Sequence, residues 1–351
     1  MFPFSLRHYA RLQRLLEILA LAYLLGLFCL MAVMHCIGER WWASTVLLYV
    51  PRAVFIAPLL LLVPLIALAP TRRSVFLMAS SALICAVPLA GLRFHTPTTV
   101  PAGAFTLRIA SCNMATGSVA VEGIVQTLSA AHADLILLQE SEPNLYTRLA
   151  AAATGYQVVA NGQFWFASRY PVVEVREPPK IDFHGVLRSP RFLRYRLSTP
   201  HGDLLVYNVH FISPRDGLEE LRGDGFLHEL RRGRLLSTRS AEVIGDNSQL
   251  RELQMAAVHD DAVRAGTPAV IVGDTNLPGL SRALADVFGD YRDAFDSAGR
   301  GLGYTFPAPR HAWMRIDRLL VDRRLRVLDF QVIRQHLSDH YPIIGTLAWP
   351  T

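Results

Sequence analysis

Close to the N-terminus the chain carries three long runs with almost no polar residue, and after them the apolar positions come in short bursts. Residues 15–34 (LLEILALAYLLGLFCLMAVM) hold one charge, Glu17, near their start. At 1.5 Å per residue such a run crosses a hydrocarbon layer of about 30 Å. Residues 53–69 and 75–92 approach the same length, and Pro58, Pro64 and Pro88 within them are tolerable in a membrane helix. A cleavable leader has one short apolar core before a small-residue site. Three runs instead predict a retained three-helix transmembrane anchor over residues 1–95.

A hinge, TPTTVPAGA at 96–104, precedes residues 105–351, enough chain for one sizeable two-layer core. TLRIASC (106–112) and ADLILLQE (133–140) read as strands, the second apolar enough for a central buried place, with a helix over 118–131 between them. YQVVA, QFWFAS, PVVEVR, RYRLST, DLLVYNVHF, PAVIVG, RLRVLDFQVI and YPIIGTLA continue the strand series. Asp246 or Asn247 is placed to cap a helix running to about Arg264, with Leu250, Leu253 and Val258 among its apolar positions. This mixture predicts an α/β sandwich, with too many short strands for a simple doubly wound sheet.

Composition sharpens the division. Hydrophobic residues make up 51% of the chain and the mean hydropathy is +0.26, an excess that the apolar runs account for. Residues 1–103 hold eight Arg against two Glu, and the remainder holds twenty-seven groups of each sign, so the formal charge of +6 belongs to the anchor. Arg7, Arg11 and Arg14 precede the first run, and Arg72 and Arg73 lie between the second and third. Both segments are predicted to be cytoplasmic. Three spans then place the domain in the periplasm or outside the cell, on a multi-pass protein of the inner or plasma membrane. A neutral domain whose only lysine is Lys180 lacks the positive field used in sequence-independent nucleic-acid binding. Cys29, Cys36 and Cys85 lie in or beside the anchor, which leaves Cys112 without a partner for a disulfide inside the domain.

Polar residues interrupt the predicted strands at their ends. Asn113 ends the first and Glu140 the second, His210 ends LLVYNVH, and Asp274 and Asn276 follow PAVIVG; Asp317 lies in MRIDRLLV, and Asp339 and His340 in LSDHYPII. Strand ends converge on one rim of a sheet, and carboxylates are seldom buried unless paired or ligating, so these eight residues predict a common site. Carboxylates and carboxamides without a Cys/His cluster suit a hard cation, Mg²⁺ or Mn²⁺, that also meets substrate phosphate. Two histidines beside it suit neutralising phosphoryl charge or protonating a leaving oxygen. No GxxxxGK[ST], GxGxxG or GxSxG pattern occurs. The predicted reaction is metal-assisted attack of water on phosphorus.

At these residues the chain resembles the endonuclease/exonuclease/phosphatase superfamily, which includes DNase I-like nucleases, apurinic endonucleases, neutral sphingomyelinases and inositol polyphosphate 5-phosphatases. SCNM, LLQES, FASRYP, YNVHF, VGDTN, RIDRLLV and LSDHYPI carry the likeness in order, from about Leu107 to Leu347. It implies a four-layer domain of two mixed β-sheets face to face with helices outside. It further implies that Glu140 binds the metal with Asn113 and Asp339 close by, and that Asp274 orients or deprotonates the attacking water. Asn276 would bond to Asp274 or to phosphate, Asp317 would hold one nitrogen of His340, and His340 and His210 would face phosphate oxygens. In the apurinic endonucleases an acidic residue stands two places after the Asn; here it is Ala115, a departure from their metal shell.

Residues 214–246 are the least generic part of the domain. Arg215, Arg222, Arg231, Arg232, Arg234 and Arg239 interleave there with Leu218, Leu221, Phe226, Leu227 and Leu230. The segment reads either as a solvated loop or as a lid in which Arg215 and Arg222 are candidate phosphate-gripping residues, a mixture that suits a lipid phosphate. Two functions follow as expectations. One is a Mg²⁺-dependent hydrolase of a phospholipid, sphingolipid or polyprenyl phosphate or pyrophosphate, favoured by a layout similar to three-span members linked to glycopeptide resistance, which resemble envelope lipid phosphatases. The alternative is a membrane-tethered DNA or RNA nuclease.

Overall fold

Residues 6–96, 98, 103–115, 121–219, 238–308 and 311–349 are described by a computed structural model of the protein. They divide into one unit of Met1–Leu92 with Gly279–Arg282 and a second of Arg93–Pro278 with Ala283–Thr351.

The first unit is helical. It comprises α1 (Leu6–Ala32), prolonged by a π turn at Val33–Ile37 and a 3₁₀ turn at Gly38–Arg40, then α2 (Trp42–Tyr49), α3 (Arg52–Leu68) and α4 (Arg72–Ile84). The helices overrun the apolar stretches because Arg7, Arg11 and Arg14 continue the helix at its polar end. Arg7–Arg40 and Arg72–Leu89 are long and apolar enough to cross a membrane, and α2 with α3, bent by 70°, adds a third if the pair is one span. Leu16 and Ala20 of α1 pack with Ile66 of α3 and Met78 of α4. A reciprocal cap starts α4: the Ser74 N–H donates to Thr71 Oγ1 (3.1 Å) and the Thr71 N–H to Ser74 Oγ (3.0 Å). Thr71 Oγ1 also donates to Glu17 at 2.5 Å, giving the one acidic group of α1 a partner.

The second unit is built on two six-stranded mixed sheets. Its strands are β1 (Arg93–Phe94), β2 (Thr106–Asn113), β3 (Leu135–Gln139), β4 (Gln157–Asn161), β5 (Phe164–Ser168), β6 (Val172–Arg176), β7 (Ile181–Phe183), β8 (Val186–Arg188), β9 (Phe192–Thr199), β10 (Gly202–His210), β11 (Ala269–Asp274), β12 (Arg292–Asp293), β13 (Arg300–Gly301), β14 (Asp317–Val321), β15 (Arg326–Val332) and β16 (Ile343–Ala348). The helices are α5 (Val121–Ala130), α6 (Tyr146–Ala152), α7 (Arg215–Glu219), α8 (Thr238–Ala265), α9 (Arg282–Phe288) and α10 (Ala294–Ala298). One sheet runs β12-β14-β11-β10-β9-β6, the other β15-β16-β2-β3-β5-β4. Each has one parallel pair at its centre, β10/β11 or β2/β3. A parallel pair needs a crossover, and α8 and α5 lie in those two connections.

Alternation along the strands sorts the side chains. Leu107 and Ile109 of β2, Leu135 and Leu137 of β3, Leu204 and Val206 of β10, Val270 and Val272 of β11, and Leu319 and Val321 of β14 share one core cluster. The opposite parity of β2 and β3 packs with α5 and α6 through Ala110, Cys112, Ile136 and Leu138. That of β10 and β11 packs with α8 through Leu205, Tyr207, Ala269 and Ile271, against Met255 and Val258.

Several expectations are corrected. The helix expected to begin at Asp246 or Asn247 begins at Thr238. Asn247 lies inside it because its side chain is used elsewhere: Nδ2 donates to Ser213 O at 2.9 Å, and Oδ1 accepts from Arg251. Leu253 is exposed, whereas Leu250 and Val258 are buried. Arg93 and Phe94, inside the span given to the anchor, form β1 and pair with β13. The strands β1, β7, β8, β12, β13 and β14 were not among those expected. RIDRLLV alternates charge and apolar residues too irregularly to stand out, yet it pairs with β11 along its length. Arg222, Arg231, Arg232 and Arg234 of the Arg-rich segment lie outside the described residues.

Candidate active site

The parity that builds the core also builds the site. On β2 the inner positions continue from Leu107 and Ile109 to Ser111 and Asn113; on β10 they run from Leu204 and Val206 to Asn208 and His210; on β11, from Val270 and Val272 to Asp274. His210 pairs with Asp274, and Asp274 with Asp317, so three polar groups stand side by side at one end of the first sheet. Ile343 pairs with Ser111, which brings the preceding Asp339 and His340 to the end of β2.

Two residues break the alternation. Glu140 follows β3 out of parity, and its φ of 54° turns it back; its Oε1 accepts from Asn113 Nδ2 at 3.0 Å. Asn276 has φ 52°. Such non-glycine residues in the left-handed region are uncommon and gather at functional sites. Gly273, before Asp274, has φ +137° and a Cβ there would lie 2.1 Å from Val209 O, so only glycine fits.

Asp274 is the hub. Its Oδ1 accepts from the Asn276 N–H (2.8 Å), and its Oδ2 from Asn113 Nδ2 (3.1 Å) and Asn276 Nδ2 (3.3 Å). His210 Nε2 lies 3.8 Å and His340 Nε2 3.9 Å from that Oδ2. The amide of Asn276 also donates to Phe211 O at 2.9 Å. Burial pushes the Asp274 carboxyl up to about 7, with Asp317 adding to it and His340 opposing.

The two histidines are driven apart. Burial lowers His210 to about 4 against the pull of Glu140, whose Oε1 is 3.5 Å from Nε2. Its Nδ1 meets Gln163 Oε1 at 2.6 Å, so the neutral ring carries its proton there. For His340, burial acts downward, but Asp317, by charge and hydrogen bond, and then Asp274 and Asp339 raise it to about 9. Its Nδ1 donates to Asp317 Oδ2 at 2.9 Å.

Asp274, Asp317 and His340 form a buried cluster compact enough to hold a cation. Within this trio a hydrogen bond joins His340 Nδ1 to Asp317, while Asp274 Oδ2 lies 3.9 Å from His340 Nε2. The wider set includes the oxygen donors that suit a hard divalent ion, the carboxylates of Glu140, Asp274 and Asp339; Asn113 turns its amide nitrogen to Glu140 and Asp274, and its Oδ1 accepts from the Ala115 N–H.

Asp339 is partly exposed, its Oδ1 4.0 Å from His340 Nε2. Arg215 is exposed at the start of α7, its N–H donating to Ser213 Oγ. Arg222 lies outside the described residues. The sequence reading missed Gln163, the partner of His210, and Ser338, whose Oγ donates to Asn113 O at 2.7 Å. It also missed Phe306, whose ring lies 4.7 Å from that of His340. Gln163 and Phe306 have no sequence signal of their own, whereas Ser338 stands beside the Asp-His pair. Burial raises the thiol pKa of Cys112 well above its ordinary value and keeps it protonated, beside the site without a nucleophile's charge.

The sequence pattern of the Endonuclease/Exonuclease/phosphatase family matches residues 110–340. Solved structures share the fold. A family protein from Bacteroides thetaiotaomicron is 14% identical over 71% of this chain and 99% of its own, with a TM-score of 0.53. The mannosyl-6-phosphatase of the same species is 16% identical over 69% and 99%, at 0.53. Truncated TDP2 of Caenorhabditis elegans is 17% identical over 70% and 98%, at 0.51. No curated sequence matches the chain.

Proposed function

The chain belongs to the endonuclease/exonuclease/phosphatase family, and from that premise we propose that it is a Mg²⁺-dependent phosphoesterase of the cell envelope acting on a lipid-linked phosphate. The carrying observation is the convergence of Asn113, Glu140, His210, Asp274 and His340 from both sheets on one rim. Family members are phosphoesterases and nucleases, generally dependent on a divalent metal.

Glu140, with Asn113 and Asp339 beside it, would hold Mg²⁺ or Mn²⁺, which when bound supplies positive charge to phosphate oxygens. The chain's own groups do the rest. Asp274, its carboxylate aimed by Asn276 and Asn113, orients the attacking water and takes its proton. His340, held as imidazolium by Asp317, offers its Nε2 proton to a phosphate or leaving oxygen. His210 would contact the phosphate through Nε2 by taking up a proton there, while Gln163 fixes its other nitrogen. Arg215 and Arg222 would grip the head group. The architecture we propose is a three-helix anchor (residues 1–95), a linker (96–104) and a four-layer catalytic domain (105–351), with the N-terminus cytoplasmic and the domain periplasmic or extracellular. Helices long enough to span a membrane and a domain without net positive charge favour the lipid over the nucleic-acid alternative.

The test is a panel: the full chain in detergent with Mg²⁺, offered phospholipids, sphingomyelin, polyprenyl pyrophosphate and plasmid DNA. Turnover of a lipid phosphate well above that of DNA is expected. Nicking of DNA without lipid turnover would replace this reading with the tethered nuclease.

A further inference from the structure

Directly beneath the site, three polar side chains stand on inner positions of the strands where the core would otherwise continue. Ser111, Gln139 and Asn208 are each fully buried. They precede Asn113, Glu140 and His210 by two, one and two residues. Gln139 Nε2 donates to Asn208 Oδ1 at 2.7 Å and to Ser111 Oγ at 3.0 Å. Asn208 Nδ2 donates to the backbone oxygens of Leu138 (3.2 Å) and Trp165 (3.4 Å). Asn208 belongs to one sheet, and Gln139, Leu138 and Trp165, which it meets here, belong to the other. Both amides spend both of their donors in this contact.

Stability alone does not call for it. Leucine at these positions would extend the apolar cluster, whereas buried amides break even only when every group is matched. What a matched network adds is direction. Apolar contacts hold two sheets together but are non-directional, and tolerate sliding that hydrogen bonds do not. The fit is close on the other side too: a Cβ on Gly273 would lie 3.0 Å from Gln139 Nε2. One layer above, the site needs that alignment, since Asn113 and Glu140 come from one sheet and His210 and Asp274 from the other. A misplacement of about 1 Å among reacting groups costs on the order of 100-fold in rate.

We propose that the Ser111–Gln139–Asn208 bridge is a positioning device that sets the register of the two sheets, and with it the spacing of the metal-binding half of the site from the water-activating half. This rests on the phosphoesterase reading for its rate consequence, but not for its effect on ion affinity. The test is the full chain in detergent as parent, Gln139→Met, Asn208→Leu and the double variant, which removes both amides together and so leaves neither side chain orphaned. Melting temperature, kcat and KM on bis(p-nitrophenyl) phosphate with Mg²⁺, and Mn²⁺ affinity by electron paramagnetic resonance are read in parallel. The double variant is expected to melt within a few degrees of the parent, with kcat down about 10- to 100-fold, KM little changed, and Mn²⁺ affinity reduced several-fold. A double variant that melts normally and keeps parental kcat and Mn²⁺ affinity overturns the proposal. Should it fail to fold, Ser111→Ala decides: a several-fold fall in kcat and in Mn²⁺ affinity at unchanged melting temperature supports positioning, and no change overturns it. If the parent hydrolyses no phosphate ester, the functional reading falls, while weakened Mn²⁺ binding in the folded double variant still supports the bridge and unchanged binding overturns it.

Discussion

One amide nitrogen, Nδ2 of Asn113, touches both Glu140 and Asp274, yet the two carboxylates have different surroundings. Glu140 is partly exposed and meets a neutral histidine; Asp274 is buried and held by three N–H donors. Their removal should therefore be separable. Glu140→Gln is expected to raise the Mg²⁺ concentration for half-activation by at least tenfold while recovering much of its rate at saturation. Asp274→Asn should lower kcat by about 10²–10⁴-fold, the range for a positioned base, at every Mg²⁺ concentration. Titrating both variants with Mg²⁺ checks this, and an unchanged half-activation in the Glu140 variant would move the ion to another carboxylate. At this scale the sequence was legible wherever a charged or amide group closed an apolar run. Ser111, Gln139 and Asn208 carry a subtler mark, a polar residue at core parity before the strand end, which hydropathy alone does not separate from an ordinary strand position. Gln163 lies in a turn, and only tertiary contact distinguishes it.

Among the elements, β14 shows how a strand hidden in sequence is secured in the fold. Its Arg318 is buried and donates to Asp293 Oδ2 at 2.6 Å, to Leu277 O at 3.0 Å and to Arg315 O at 3.3 Å; Arg315 reaches the same carboxylate oxygen at 2.5 Å. Arg318 thus ties β14 to the loop that carries Asn276, and Asp293, at the end of β12, holds its guanidinium in place. Asp293 also caps α10, accepting from the Phe295 N–H at 2.9 Å. Burial works against its charge, but Arg315 and Arg318 prevail and hold it at about 2, below the ordinary 3.8. A depressed carboxyl stabilises fully above its ordinary value and loses that contribution as pH falls through about 2. Asp293→Asn strands two buried guanidinium groups and should cost about 3–5 kcal/mol at neutral pH. The gap from the parent should narrow on acidification from pH 4 to pH 2, as followed by denaturation at each pH. A variant as stable as the parent at pH 7 would refute the clamp. Long apolar runs such as β3 and β11 were legible because burial on both faces leaves no polar break; β14 was not, since its charges are neutralised by residues far away in sequence.

For the whole molecule, the membrane reading makes a claim about sidedness. With basic residues flanking the first two runs and a third span before the domain, a reporter fused after Thr351 should be active only on the extracytoplasmic side; cytoplasmic activity would remove one span from the topology. The two mixed sheets were expected from the family resemblance, and the helices of both crossovers, α5 and α8, from the sequence pattern, α8 with an earlier start than expected. Strand β16 lies between β15 and β2, pairing Ile343 with Ser111 and Ala348 with Thr106. The first long strand of the catalytic unit therefore waits for one of the last to be synthesised. When β2 leaves the ribosome, neither Asp339 nor His340 yet exists. The nascent unit can collapse around β3 and β5 but cannot close its second sheet or complete the site. If the domain is carried across a bilayer as proposed, that delay serves it, because the order of translation would keep the completed site from arising on the ribosome's side.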